Sequence, residues 1–428
     1  MLHLAHRKVL ITLNVSEFAC RLKVFQICLH SNDQRFFDRY FAICQILYIF
    51  DIWKKICQKM EPYDRNTPYN ALPPLPPEKE LYMDDDVLNK LVAASRRLSE
   101  LKGLASALPN QSIFVNTIAL REAKASSAIE NIFTTDDELY KSLSYQEDDY
   151  LEGPAKEILH YREALWNGFQ VIAKENAMTI DTIVNVYRIV KNSMDGIRPY
   201  QAEIVIKKRG WGSLIADTVY TPPRGKGIVE KKMGELLKFL NDDEAYPLDP
   251  LLKMIFAHYQ FEAIHPFRDG NGRTGRILCI LYLIQKRILD LPILYLSSYI
   301  LQNKDAYYQA LSGVTGMRDW KSFVLFMLDA VSQTAEYTTD KILRIKSLIE
   351  KTQNLIRDNK IAPSRLEVHK LFEQPYIRPK NLLSDKIKSV NTAKKYLSDL
   401  ENLGFLAKEK IGKEFIWFNT ELMNILSD

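Results

Sequence analysis

His265-Pro266-Phe267-Arg268-Asp269-Gly270-Asn271-Gly272-Arg273-Thr274-Gly275-Arg276 is the stretch on which the reading of this chain turns. It packs a histidine, a carboxylate, three glycines, an amide and three arginines between two apolar runs, 251–264 and 277–284. Both runs have the length and period of buried helices. The glycine-rich middle is therefore a tight turn that opens a helix.

That arrangement has a physical consequence. Glycine lets the backbone come close to a ligand. A helix N-terminus offers unpaired N–H groups and the positive end of the helix dipole. Together they make an anion site, most often for phosphate. Arg273 and Arg276 are three apart, so both can lie near one helix face and add charge-assisted bonds to phosphate oxygens. Asp269 is a hard oxygen ligand suited to Mg²⁺, with Mn²⁺ as an alternative. His265, just before the turn, can act as a base near neutral pH. Each residue alone has a bland reading: a structural histidine, a plain turn, a surface Asp–Arg pair. Their concentration in one short stretch favours a site.

The stretch resembles the signature of the Fic family, H-x-F-x-[D/E]-G-N-G-R-x-x-R, at every specified position. Gly272 keeps the second glycine that the Doc-type branch lacks. The resemblance implies a mainly α, Fic-type helical bundle with a β-hairpin flap, and transfer of AMP from ATP to a Ser, Thr or Tyr hydroxyl of a target protein. It implies His265 as the catalytic base, Asp269 as the metal residue, and Gly270, Asn271, Gly272, Arg273, Thr274, Gly275 and Arg276 as the ATP-binding turn. By the same analogy Gln302 and Asn303 line the base pocket, although a helix cap explains Asn303 equally well.

Upstream, Ser126-Ser127-Ala128-Ile129-Glu130-Asn131 falls in a helical pattern over 117–132, where a solvated glutamate is the plain reading. Beside a Fic signature it resembles the family's inhibitory motif, [S/T]-x-x-x-E-[G/N], with Ser126, Glu130 and Asn131 at the specified positions. A carboxylate on Arg276 would occupy the place of a γ-phosphate and leave ATP poorly bound or misaligned. Two other readings stand beside autoinhibited AMP transfer. One is the same site run in reverse, removing AMP with Glu130 orienting water. The other is a nucleotide-sensing DNA-binding regulator.

The chain has 428 residues, room for two or three domains, and 46% hydrophobic and 26% charged residues, ordinary for a globular protein. No run reaches the eighteen apolar residues of a membrane span. Residues 1–59 differ: four of the five cysteines lie there, and nine Lys/Arg face four Asp/Glu, so the whole net charge of +5 belongs to this leader. It reads as a membrane-associating segment, a small cysteine-bearing subdomain, or upstream sequence from a misplaced start before Met60. The misplaced start is favoured. One cysteine in the remaining body, Cys279, argues for a reducing, cytoplasmic setting.

The domain reading is 60–150 as the Fic N-terminal region, 151–330 as the catalytic domain, 331–360 as a linking helix and 361–428 as a winged-helix-like domain. Residues 62–77 are proline-rich and read as an extended arm draped on the body. Ile204 and Ile206 alternate with polar neighbours, Arg209-Gly210-Trp211-Gly212 turns, and 214–220 runs back, a hairpin by pattern. In the C-terminal part, helices are expected over 364–372, 380–388 and 391–402, followed by a two-stranded wing. With eleven Lys/Arg against nine Asp/Glu over 361–428, DNA binding is weakly supported. Target recruitment or a homodimer contact fits that charge better.

Overall fold

A helix that is apolar on every side has to sit at the centre of its domain, and the chain has two in succession, flanking the turn. The computed structural model describes residues 63–106, 112–144, 153–209, 216–361, 366–411 and 414–427. The readings of the 1–59 leader fall outside these residues. Asp64–Asp428 forms one unit. In chain order its helices are α1 (Asp85–Ser106), α2 (Ser112–Ile129), α3 (Asp136–Ser144), α4 (Gly153–Glu175) and α5 (Ile180–Lys191). The hairpin β1 (Ile206–Arg209) and β2 (Ala216–Tyr220) follows, then α6 (Ile228–Asn241), α7 (Pro250–Ile264), α8 (Asn271–Gln285), α9 (Leu296–Gln302), α10 (Lys304–Met317) and α11 (Trp320–Asp358). The C-terminal part adds β3 (Tyr376–Ile377), α12 (Val390–Asn402), β4 (Ala407–Ile411), β5 (Glu414–Phe418) and α13 (Thr420–Ser427). The fold is mainly helical, as the sequence reading has it.

The central pair is α7 and α8. Asp249 caps α7, its carboxylate accepting from the Leu251 N–H at 2.8 Å, and Pro250 fills the first helical position, where its missing donor costs nothing. Helices α2, α4 and α5 pack against α8, while α6 and α11 pack against α7. Close approach is written into Gly168 of α4: a Cβ there would lie 2.5 Å from Leu281 Cδ1 of α8. Helix α2 is pinned by Glu122, a buried carboxylate that accepts from the Tyr161 hydroxyl at 3.0 Å and the Ser297 N–H at 2.8 Å. Those bonds offset a desolvation cost that would otherwise be several kcal/mol.

The hairpin is antiparallel, with Lys207 opposite Thr218 and Lys208 opposite Asp217. Its turn lies outside the described residues. The proline-rich arm is ordered on the far end of the hairpin: Asn70 exchanges two hydrogen bonds with the Arg224 backbone, at 3.1 and 2.9 Å, and Tyr69 N donates to Thr221 O at 3.0 Å.

Three details of the C-terminal half differ from the sequence expectation. The linking helix expected over 331–360 starts earlier, as part of one continuous helix, α11, because Trp320–Asp358 contains no glycine or proline to break it. The expected helices over 364–372 and 380–388 are 3₁₀ turns among the described residues, Val368–Leu371 and Pro379–Leu382. Pro379 opens the second of these turns at its first position, and Ser384 and Ile387 close a tight turn on each other that interrupts 380–388. The third helix, α12, and the wing strands β4 and β5 are present, and β5 also pairs with β3. Helix α13, absent from the expectation, is capped by the buried Asn419 side chain accepting from Leu422 N at 3.0 Å.

Candidate active site

The turn joins the C-terminus of α7 to the N-terminus of α8. His265 closes α7 in the left-handed conformation, φ 51°, and Gly270 precedes α8 at φ 76°. A left-handed non-glycine residue costs about 1–2 kcal/mol and persists only where its surroundings hold it. Here Arg198 does so: its Nε donates to the His265 carbonyl at 2.7 Å and its Nη2 to the Ile264 carbonyl at 3.2 Å. The imidazole Nδ1 lies 3.3 Å from the Glu262 carbonyl. Burial pushes the His265 pKa down to about 4, and Arg198 adds to this against the Glu262 carbonyl, Glu130 and Asp269. The imidazole is therefore neutral at pH 7 and able to take a proton.

Phe267 anchors the turn. It is fully buried and stacks on Tyr187, with ring centroids 3.9 Å apart and planes 3° from parallel. Asn271 is spent on the same loop. Its Oδ1 accepts from Phe267 N and its Nδ2 donates to Phe267 O, both at 2.9 Å. Its side chain thus shapes the turn, with one Nδ2 hydrogen left over. Gly275 serves packing: a Cβ there would meet Glu262 Oε1 at 2.4 Å. Thr274 is buried in the helix.

The arginines point into carboxylates. Arg276, 1% exposed, donates from Nη2 to Glu130 Oε1 at 2.9 Å, and it also reaches the Ser126 hydroxyl from Nε at 2.8 Å and the Ser126 carbonyl at 2.9 Å. Glu130 stands just past the end of α2, followed by Asn131 at φ 63°, whose Oδ1 accepts from Lys304. The carboxylate lies over the turn itself: a Cβ on Gly272 would come within 2.3 Å of Glu130 Oε1. So the structure brings Ser126, Glu130, Gly272 and Arg276 together, as the sequence reading expects. Arg273 turns instead to Glu157 of α4, 2.8 Å away.

Asp269 is exposed and held by Lys191 Nζ at 2.6 Å and by Gly270 N at 2.7 Å. Partial desolvation by the surrounding protein raises its pKa, but Lys191 and the Gly270 N–H outweigh that, so the carboxyl stays ionised. Among the described residues no group of three His, Cys, Asp or Glu gathers as a metal cage. His258 is buried, 2.7 Å from the Tyr307 hydroxyl.

Gln302 is exposed, and Asn303 is used as a helix cap, its Nδ2 donating to Tyr299 O at 3.0 Å. Residues that sequence reasoning missed include Arg198, Lys191, Glu157, Glu262 and Tyr308. Burial lifts the Glu262 carboxyl to about 7 against the pull of Arg276. Burial likewise lifts the Tyr308 hydroxyl to about 12, with Glu130, Arg276 and Glu262 all acting on it. Glu262, one helical turn before His265, could have been found by spacing; the others lie far away in sequence.

Three family models match successive parts of the chain: Fic/DOC family N-terminal over 88–170, Fic/DOC family over 178–283, and the SoFic-like protein adenylyltransferase C-terminal domain over 348–422. Residues 88–170 and 178–283 thus belong to the Fic/DOC family. It is similar to protein adenylyltransferase fic-1 of Caenorhabditis elegans, 27% identical over 210 residues, 47% of this chain and 36% of that protein. It is also similar to protein adenylyltransferase Fic of Nematostella vectensis, 27% identical over 190 residues, 43% of this chain and 41% of that protein. The chain thus spans well under half the length of these relatives. Among solved structures, a Fic family protein from Desulfovibrio desulfuricans G20 superposes with a TM-score of 0.49 at 17% identity, covering 79% of this chain and 97% of that one. No helix among the described residues is long and apolar enough to cross a membrane.

Proposed function

We propose that this Fic protein is a protein adenylyltransferase held inactive by Glu130. ATP lies on the turn with its phosphates over the N–H groups of Gly270 to Gly272 and the N-terminal end of α8. Arg276 and Arg273 take the β- and γ-phosphates once their carboxylates leave. A Ser, Thr or Tyr hydroxyl of the target, presented along the hairpin, loses its proton to neutral His265. Its oxygen bonds to the α-phosphorus, the α–β bridge breaks, and pyrophosphate departs with the bonding pair. The turn amides meet the charge that grows on the α-phosphate.

Asp269 fits a divalent cation of the Mg²⁺ or Mn²⁺ kind. It is one ionised, exposed carboxylate, and Mg²⁺ commonly takes one or two carboxylates together with phosphate oxygens and waters. Lys191 would have to give way to it. When bound, the ion would neutralise phosphate charge.

The observation that carries this reading is the Glu130 carboxylate lying on both Gly272 and Arg276, where a nucleotide phosphate belongs. The test uses the Glu130→Gly variant, which removes the carboxylate. Incubated with ATP labelled on the α-phosphate, it is expected to label itself or a lysate protein far above the wild-type level. Label carried only from the γ-phosphate would make the protein a kinase and refute the reading.

A further inference from the structure

Beneath the turn lies a charge that the proposed chemistry does not touch. Arg198 is 2% exposed and sits 67 positions before the histidine, in the segment between α5 and the hairpin. Its guanidinium bonds the last carbonyls of α7, at His265 and Ile264. The same group reaches across to the exit of the hairpin, donating from Nη2 to the Pro223 carbonyl at 2.6 Å. Its own backbone N–H donates to the Pro266 carbonyl at 2.9 Å. A second tie runs in parallel: the Tyr220 hydroxyl, at the end of β2, donates to the Ala263 carbonyl at 2.8 Å.

These bonds have a common sense. The C-terminal carbonyls of α7 are the negative end of a helix dipole, so a cation there is favoured even without a carboxylate partner. A planar fork can hold several carbonyls in fixed directions, which an ammonium on a flexible stem does less well. The left-handed backbone at His265 needs such an outside hold. The hairpin, meanwhile, is a short two-stranded ribbon that would be marginal on its own.

We infer that Arg198 is a positioning residue that locks the backbone of His265 to the foot of the hairpin, so that base alignment and target docking are one mechanical unit. The inference rests on the adenylyltransferase reading for its consequence in rate, and on geometry for the contact. Arg198 touches no reacting atom; it acts through His265. The charged groups that act on the imidazole are Arg198 from beneath, Glu130 from the end of α2 and Asp269 from the turn.

The test compares Arg198→Met and Arg198→Lys, each in the Glu130→Gly background so that the site is open. Initial rates of AMP transfer would be measured over pH, and the His265 imidazole followed by NMR, its signal assigned by loss in His265→Ala. Arg198→Met is expected to lower kcat by roughly 100-fold, the cost of a small misplacement of a reacting group. The KM for ATP should change by less than about threefold, since the phosphate side is intact. The acid limb of the rate profile and the His265 midpoint should both move to higher pH, because a nearby positive charge has gone. Arg198→Lys should restore the midpoint and part of the rate. An unchanged kcat, or a loss without movement of the His265 midpoint, would overturn the assignment. Should Arg198→Met fail to fold, Arg198→Gln keeps two donors without the charge and must move the same midpoint. If the parent Glu130→Gly protein transfers no AMP, the functional reading fails, while the NMR arm still decides whether Arg198 sets the imidazole.

Discussion

On the base side of the turn every support is buried: Arg198 under the His265 carbonyl, Phe267 stacked on Tyr187, and Asn271 closed on the Phe267 backbone. On the phosphate side the arginines are buried but their carboxylate partners are not, with the Glu130 side chain 35% exposed and that of Glu157 44%. Buried, fully bonded groups in a packed interior have one arrangement. A half-exposed carboxylate can swing into water and be hydrated there, so another anion can take its place on the buried arginine. The difference teaches how the two halves are used. The side that aligns the proton acceptor is set in advance, and the side that meets the nucleotide is gated.

The gate has an electrostatic reason. An emptied phosphate site would leave Arg276 as a buried charge with the Ser126 oxygens as its remaining partners, a costly state. Glu130 supplies the missing anion in the resting protein. An incoming phosphate can replace it oxygen for oxygen, and the helix N-terminus then adds its own attraction.

The contrast can be broken most severely on the fixed side. His265→Ala in the Glu130→Gly background should reduce AMP transfer by at least about 1000-fold, while ATP binding stays within about threefold. A melting curve would check that the fold survives. Retained transfer would remove the histidine from its role. A smaller effect is expected on the gated side. Glu157→Gln frees Arg273 as Glu130→Gly frees Arg276, but the carboxylate is more exposed and lies on α4 rather than over Gly272. We expect the ATP affinity of the otherwise wild-type protein to rise by no more than about threefold, within the range of an exposed ion pair. A gain matching that of Glu130→Gly would make Glu157 a second plug.

Smallest of all should be the change in the pH response of the base. With His265 neutral above about pH 4, the rate of the Glu130→Gly protein should stay flat from pH 8 down to pH 6. It should fall only as the imidazole takes up a proton nearer its lowered pKa. A limb centred at the ordinary histidine value of 6.5 would mean that the surroundings of His265 are wetter than described.

The turn and the Glu130 half of the gated side were legible in the sequence because their chemistry is local; Glu157, 116 positions from Arg273, was not. The residues from His265 to Arg276 are contiguous, and Ser126 and Glu130 are one helical turn apart. The supports of the fixed side were not legible, because Arg198 and Tyr187 reach the turn only through tertiary packing and carry no local pattern. Asn271 shows a further limit: its place in the turn was legible, but its two 2.9 Å bonds to the Phe267 backbone were not. In the C-terminal part the strands and the third helix followed their hydrophobic spacing. The first two helices failed because their apolar runs were too short to propagate a helix, and the Ser384–Ile387 turn interrupts the second. The unbroken α11 was misjudged in the opposite direction, by dividing a helix where no residue breaks it.

The central claim is that Glu130 holds the place of a nucleotide phosphate on the turn. Calorimetric titration of ATP–Mg²⁺ into the wild-type protein and into Glu130→Gly tests it most directly. Removing one charge-assisted contact from the competing state should tighten binding by about 10- to 100-fold. Equal affinities in the two proteins would contradict the account.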